Sequence, residues 1–464
     1  MRYTGGEANR RERTRIVAQE PVTYRIGTGA GFSSDRLSPA LDLVRKGRLH
    51  AIVFECLGER TVAYGHRDRM ANPAKGYNAH LERRFREILP ACRTAGTRII
   101  TNMGAANPRA AALATVKLAR DLGLTGLKVA CIEGDDVSHL VPRTQPLMDE
   151  PGTLADVDMA LVGMNAYIGV DAILPALREG ADVVIGGRLA DPSMFLAPLM
   201  HHFGWQPDDL ARLGAGTLIG HLMECGMQIT GGYFADPHFK DVPRLADCGF
   251  PIAEVDADGS AVITKLADAG GCVTPGTVKE QLLYEVHDPR RYLTPDVTAD
   301  FSQVTVRAEG PDRVRVAKAG GQPRPETLKV TVGFDGGFQG EAGISYAGPG
   351  AQARGELAAR VIEERIRSAH RLTGDLRVDV IGSGSLFATA GHRASESEDV
   401  RLHVALRAAD REQAELMLWE VESLLCCGPA GGGGYRGQIT PCVMTKSVLI
   451  PRDLVTPKLE MMVA

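Results

Sequence analysis

From Val22 onward, short apolar runs that end in glycine or polar clusters alternate with longer stretches of helical periodicity. Val22 to Ile26 opens onto Gly27-Thr28-Gly29-Ala30-Gly31. His50 to Phe54 ends at Glu55, Thr97 to Thr101 at Asn102, Leu127 to Ile132 at Glu133-Gly134-Asp135-Asp136, and Ala181 to Ile185 at Gly186-Gly187-Arg188. Between them, residues 39–46, 78–95, 108–122 and 170–179 space their apolar side chains as amphipathic helices do. Continuous apolar runs suit strands buried on both faces, so their alternation with helices predicts parallel βαβ units. Residues 21–295 therefore read as an α/β domain, layered and Rossmann-like around a parallel sheet. In such a sheet all strand C-ends point one way, and ligands bind in the crevice beyond them. Glu55, Asn102, Asn107, Asp135, Asp136, Arg188 and Asp191 converge there and form one candidate site. Taken singly, each is explained equally well as a turn former or helix cap; taken together they favour a site.

Past residue 295 the pattern changes. Strand-like segments at 303–307, 313–317 and 328–334 are separated by glycine-rich turns, including Gly336-Gly337 and Gly348-Pro349-Gly350. A helix over 351–369, strands at 376–381 and 401–406, a helix over 411–425, a glycine loop and a strand at 443–450 follow. From Leu328 the order is βαββαβ, the ferredoxin-like pattern, so residues 296–464 read as a smaller α+β domain. Residues 1–20, with Arg10, Arg11, Arg13 and Arg15 among polar neighbours, read as a flexible tail or an oligomer arm, and a homo-oligomer is expected.

A length of 464 residues agrees with two domains. A net charge of −4 argues against a nucleic-acid partner, which calls for a basic face. A small anionic molecule is the better expectation. No window approaches the ~20 apolar residues that span a bilayer, and the first twenty residues lack the apolar core of a signal peptide. Neither a membrane nor export is expected, and a cytoplasmic location is. The nine cysteines include no C-x-x-C pair, which supports neither a zinc ribbon nor a disulfide framework.

Several clusters carry candidate chemistry. Gly428-Pro429-Ala430-Gly431-Gly432-Gly433-Gly434 is costly to order, so its backbone is expected to approach a ligand closely; successive N–H groups there make an anion nest, beside Arg436. Gly27-Thr28-Gly29-Ala30-Gly31 resembles a phosphate turn but spells G-x-G-x-G, a weak sign of a nucleotide cofactor. His221, Glu224 and Cys225 fall at i, i+3 and i+4 on one helix face, as an acid/base pair beside a thiol or as partial metal ligands to be completed by Asp236, His238 or Cys272. A hydrogen-bonded structural histidine fits as well. Lys265, upstream of Gly270-Gly271 and of a helix start near Thr277, suits an anion. No G-x-S-x-G elbow, Walker A or H-E-x-x-H motif occurs.

The runs Phe54 to Thr61, Thr101 to Pro108, Gly134 to Val137, Gly187 to Pro192, Gly220 to Gly226 and Gly428 to Gly434 resemble the acyclic terpene utilisation (AtuA) family from about Val22 to Asp453. The resemblance implies a place in the catabolism of branched acyclic compounds such as citronellol and geraniol, through CoA thioesters, carboxylation and hydration. Some relatives carry a further small C-terminal domain, so a small companion subunit is an expectation here. Together these readings point to a lyase of the hydratase or dehydratase type, acting on a branched hydroxy acid or its CoA ester. Asp135 or Asp136 is then the base and His221 or Glu224 the acid, while Arg60, Arg188 and the 428–434 loop hold the anionic end. No cofactor is assigned beyond CoA carried by the substrate, and the metal question stays open. The rivals are a non-catalytic acyl-CoA-binding or assembly subunit and a nucleotide-dependent enzyme.

Overall fold

The computed structural model describes residues 23–383 and 397–464, and the expected tail at 1–20 lies outside them. The five apolar runs form the strands they predict, β1 (Tyr24–Ala30), β2 (Ala51–Phe54), β3 (Arg98–Thr101), β4 (Lys128–Glu133) and β6 (Val183–Gly186), and a strand the pattern did not disclose, β5 (Leu161–Ala166), lies between β4 and β6 in the chain. Between them lie α1 (Ser38–Lys46), α2 (Glu59–Ala71), α3 (Leu81–Ala95), α4 (Pro108–Asp121) and α5 (Val170–Arg178), with α6 (Asp191–Phe203) and α7 (Leu210–Glu224) following β6. Strands β1-β2-β3-β6-β4 pair in parallel. Leu43, Phe85, Ile88 and Val116 of α1, α3 and α4 cover one face. Ile173, Phe195, Leu199 and Ile219 of α5, α6 and α7 cover the other. A sheet buried on both faces needs the uninterrupted apolar runs seen in the sequence.

The chain continues through β7 (Pro251–Val255), β8 (Ala261–Lys265), α8 (Pro275–Leu283), β9 (Tyr292–Leu293), β10 (Thr298–Asp300), β11 (Thr305–Gly310), β12 (Arg313–Ala317) and β13 (Gly320–Gln322). It ends with β14 (Thr327–Ala347), α9 (Ala351–Ser368), β15 (Asp375–Ile381), β16 (Asp399–Ala408), α10 (Arg411–Cys427), β17 (Gly433–Pro451) and β18 (Lys458–Val463). The large sheet is mixed rather than purely parallel, in the order β11-β12-β8-β7-β1-β2-β3-β6-β4-β18. Strands β7-β8 and β11-β12 are joined by turns too short for a crossover helix, so they pair antiparallel. β18, which the sequence pattern did not disclose, closes the other edge against β4.

The Gly27–Gly31 segment is a second correction. Gly27 and Gly29 lie within β1, and α1 starts only at Ser38, so no phosphate turn joins them. The glycines serve packing: a Cβ on Gly29 would fall 2.4 Å from the Phe54 ring, and one on Gly31 2.4 Å from the Cys225 carbonyl carbon.

From β14 to β17 the element order is βαββαβ, and these four strands form an antiparallel sheet in the order β15-β16-β14-β17, its core under α9 and α10. Gly336-Gly337 is no turn. β14 runs through it with a bulge, and Gly337 takes φ +76°. The first part of β14 also pairs with β5, Val330 opposite Ala166, which brings the start of this long strand against the parallel layer.

Candidate functional site

The C-ends of the parallel strands deliver a polar cluster. Glu55 follows β2 and Asn102 follows β3; the Asn102 amide donates to Glu55 Oε1 (3.0 Å) and accepts from the Cys56 N–H (2.8 Å), while the Leu57 N–H also donates to Glu55 Oε1 (2.8 Å). Beyond β4, the buried Asp135 accepts from Asn165 Nδ2 (2.8 Å) and from the backbone N–H of Arg188 (2.8 Å). Gly187 makes this possible, because a Cβ there would fall 2.2 Å from Asp135 Oδ2. Asn165 in turn contacts His66 Nε2 (2.6 Å). Asp135 thus fixes the main chain that carries Arg188.

Arg188 is the hub. Although only 2 % exposed, its guanidinium donates to Leu57 O (2.6 Å), Asp191 Oδ1 (3.1 Å) and the Tyr167 hydroxyl (2.6 Å), lies 3.7 Å from Glu59 and stacks 4.0 Å over the Tyr167 ring. Its Nε has no hydrogen-bond partner among the described residues. Glu59 also accepts from Tyr167 and from Lys329 Nζ (3.2 Å). Burial opposes the charge on Glu59, but Arg188, the Tyr167 hydroxyl and Lys329 outweigh it and hold the carboxyl at about 2. This is a compact, charge-balanced cluster of the kind that survives burial.

Helix α7 supplies the third part. Its sequence ends at Glu224, and His221 sits one turn earlier with Nδ1 3.0 Å from Glu224 Oε1 and Nε2 3.3 Å from Leu282 O. The His221 ring packs against Tyr292 and Phe301, which also touch each other. Glu224 Oε2 is buried without a hydrogen-bond partner among the described residues. The Glu55 N–H donates to Ala30 O (2.9 Å), and Gly31 packs on the Glu224-Cys225 peptide, so the two carboxyl-bearing segments meet where β1 ends. Burial pushes Glu55 up to about 8, helped by the charge of Asp191. Burial likewise pushes Glu224 up to about 7 against the pull of His221, and it raises Asp191. Carboxyls that titrate near neutrality are what proton transfer requires.

Other expected residues lie apart from this cluster. Asn107 caps α4, accepting from the Ala110 N–H and donating to Pro73 O and Lys75 O, so its role is structural. Asp136 is partly exposed, binding Ser138 with Arg69 3.9 Å away. Arg60 is exposed on α2. Lys265 is buried against Leu266 O, Ala269 O and Asp312, a local structural knot. Gly431 to Gly434 and Arg436 lie on or just before β17 at the far end of the smaller sheet, with Gly433 opposite Ser345. Along β14 that point is roughly 50 Å from Lys329 at ~3.3 Å per residue. A glycine-rich stretch reads alike in the sequence whether it cradles a ligand or opens a strand.

Glu59, Tyr167 and Lys329 are the residues that sequence reasoning missed. Glu59 lay inside the Phe54-to-Thr61 run and Tyr167 directly after a strand-like run, both readable signals; Lys329 carried none. Among the described residues, no group of three or more His, Cys, Asp and Glu side chains is placed to hold a metal ion, and no helix is long and apolar enough to cross a membrane.

The family model for acyclic terpene utilisation protein AtuA matches residues 24–461. The chain belongs to the AtuA family. No curated protein and no solved structure matches it. Membership implies a role in acyclic terpene utilisation, and the match runs from β1 into β18, across all three sheets.

Proposed function

We propose that this AtuA-family protein is a hydro-lyase, adding water to or removing it from a branched acyclic hydroxy acid or its CoA thioester. The observation that carries the reading is Glu224, whose one oxygen is held by His221 while the other is buried without a partner among the described residues, next to the segment bearing Glu55. In the hydration direction, Glu224 takes a proton from water as the water oxygen bonds to the β-carbon. The double-bond electrons move toward the carbonyl, and the protonated Glu55 delivers a proton to the α-carbon. Glu224 then returns its proton to solvent and Glu55 regains one. Arg188 and Lys329 supply positive charge for the developing enolate oxygen. This places the base at Glu224 rather than at Asp135, whose Oδ2 is already committed to Asn165 and the Arg188 backbone.

The test is incubation of the purified chain with branched enoyl and hydroxyacyl substrates, as free acids and CoA thioesters, in deuterated water. One deuterium is expected at the α-carbon, lost in a folded Glu224→Gln variant. No incorporation with any substrate, or an unchanged rate in the variant, removes the proposal.

A further inference from the structure

A second polar feature borders the same crevice. Ser34, Asp35, Arg36 and Leu37, in the loop after β1, and His80, Arg83 and Arg84, at the start of α3, line a groove of about 310 Å³. Arg84 forms its floor and is only 4 % exposed. Its donors reach neutral acceptors: the Cys56 thiol (3.0 Å), Ser33 O (3.2 Å) and Asp35 O (3.0 Å). No carboxylate oxygen among the described residues lies within 4.0 Å of this buried guanidinium, unlike Arg188, which has two. A buried charge without a contacting counter-ion is costly and is normally paired. Asp35, the one acid lining the groove, spends its carboxylate on the Gly31 N–H (2.8 Å) and feels Arg84 and Arg36 only at longer range, so that burial prevails and raises its pKa. Above the floor, the exposed side chains of Arg83 and His80 have no hydrogen-bond or ion-pair partner among the described residues, and Arg36 reaches only the Ala246 carbonyl. Three guanidiniums and an imidazole against one committed carboxylate make a receptor for a multiply charged anion, and forked guanidiniums match phosphate oxygens.

We propose that this groove binds a phosphate-bearing handle of the substrate, a phosphate monoester or diphosphate, while the reacting end lies at Glu55 and Glu224. Two contacts link the places. The groove floor touches the thiol of Cys56, the residue directly after Glu55, and the loop forming its wall begins at Gly31, which packs on the Glu224-Cys225 peptide. The inference rests on the hydro-lyase reading for the identity of the reacting end. It deepens that reading by assigning the phosphate to a built receptor on the same rim. The nucleotide end of a CoA thioester and an alkyl diphosphate share this chemistry.

Isothermal titration of the full chain with inorganic phosphate, pyrophosphate, adenosine 3′,5′-bisphosphate and CoA tests it without turnover. Binding of at least one phosphate ester or pyrophosphate is expected, weakened about tenfold or more by Arg83→Ala with His80→Ala, two exposed changes that spare the core. Preference for the bisphosphate and CoA assigns the handle to a CoA thioester; preference for pyrophosphate assigns it to an alkyl diphosphate. Absence of binding at millimolar concentration, or equal affinity in the double variant, overturns the inference. If binding survives while no deuterium is incorporated, the groove stands and the hydro-lyase reading falls.

Discussion

Glu55 and Glu224 hold their protons where ordinary carboxyls have lost them, and this acts on stability as well as chemistry. Both folded values, about 8 and about 7, lie above the ordinary 4.5, so the native state binds more protons across that window. Their contribution is complete below the ordinary value and is lost as pH rises through 7 and 8. The melting temperature should therefore fall between pH 5 and pH 9, and Glu55→Gln should flatten the slope; a wild-type profile that stays level or rises contradicts the assignment. For turnover, kcat/KM should rise as Glu224 ionises near 7 and fall as Glu55 ionises near 8, and Glu224→Gln should lower it by about 10²–10⁴-fold. Arg188 tests the other half of the cluster. Arg188→Met leaves Glu59 and Asp191 without their shared cation and should cost about 3–5 kcal/mol in chemical denaturation. Adding Glu59→Gln to that variant should recover part of the loss, and strict additivity would show that the two do not interact.

At the scale of elements, α7 is built against helix propensity to place its last turn. Gly214, Gly216 and Gly220 sit inside it, and an interior glycine costs about 1 kcal/mol relative to alanine. The neighbours explain them: a Cβ on Gly214 would fall 2.0 Å from Gly320 O of β13, and one on Gly220 2.6 Å from the Pro192 Cα in the first turn of α6. The helix thus lies close enough to α6 to set Glu224 near Asp191. Gly220→Ala should lower stability by about 1–3 kcal/mol despite the better propensity, and should reduce turnover by shifting Glu224 away from its position relative to Glu55; a variant as stable and active as wild type would show that the close approach is not needed. The sequence carried half of this. The i, i+3 spacing of His221 and Glu224 announced a shared helix face, and the strand-end positions of Glu55, Asn102, Asp135, Arg188 and Asp191 announced a common edge, because both follow from local periodicity. Exposure does not, which is why the Gly431-to-Gly434 run resembled a ligand loop although it leads into β17.

Across the whole molecule, what escaped the sequence is what depends on distant pairing. The parallel strands were legible because each is a short apolar run, and all but β4 pass directly to a helix. Lys329 reaches Glu59 across the fold only because β14 pairs with β5, and nothing near Lys329 in the chain signals that pairing. The same holds for β18, whose Lys458–Val463 segment alternates too briefly to stand out, yet pairs with β4 along its full length and packs Leu459 and Met461 against the core below α5 and α6. Without it, β4 would be an edge of the large sheet with unpaired N–H and C=O groups and an apolar run beside them, the arrangement that templates aggregation. β4 leads into Asp135, and Gly134 contacts the Thr456-Pro457 backbone just before β18, so this approach also steadies the Arg188 support. Truncation after Pro457 should lower the melting temperature by several degrees, at about 2–4 °C per kcal/mol for a large domain, and should promote concentration-dependent aggregation seen by light scattering. Activity should fall together with stability and recover when a peptide covering 458–464 is supplied in excess. A truncated chain that stays monodisperse and melts with the full chain would mean that β4 tolerates its exposed edge.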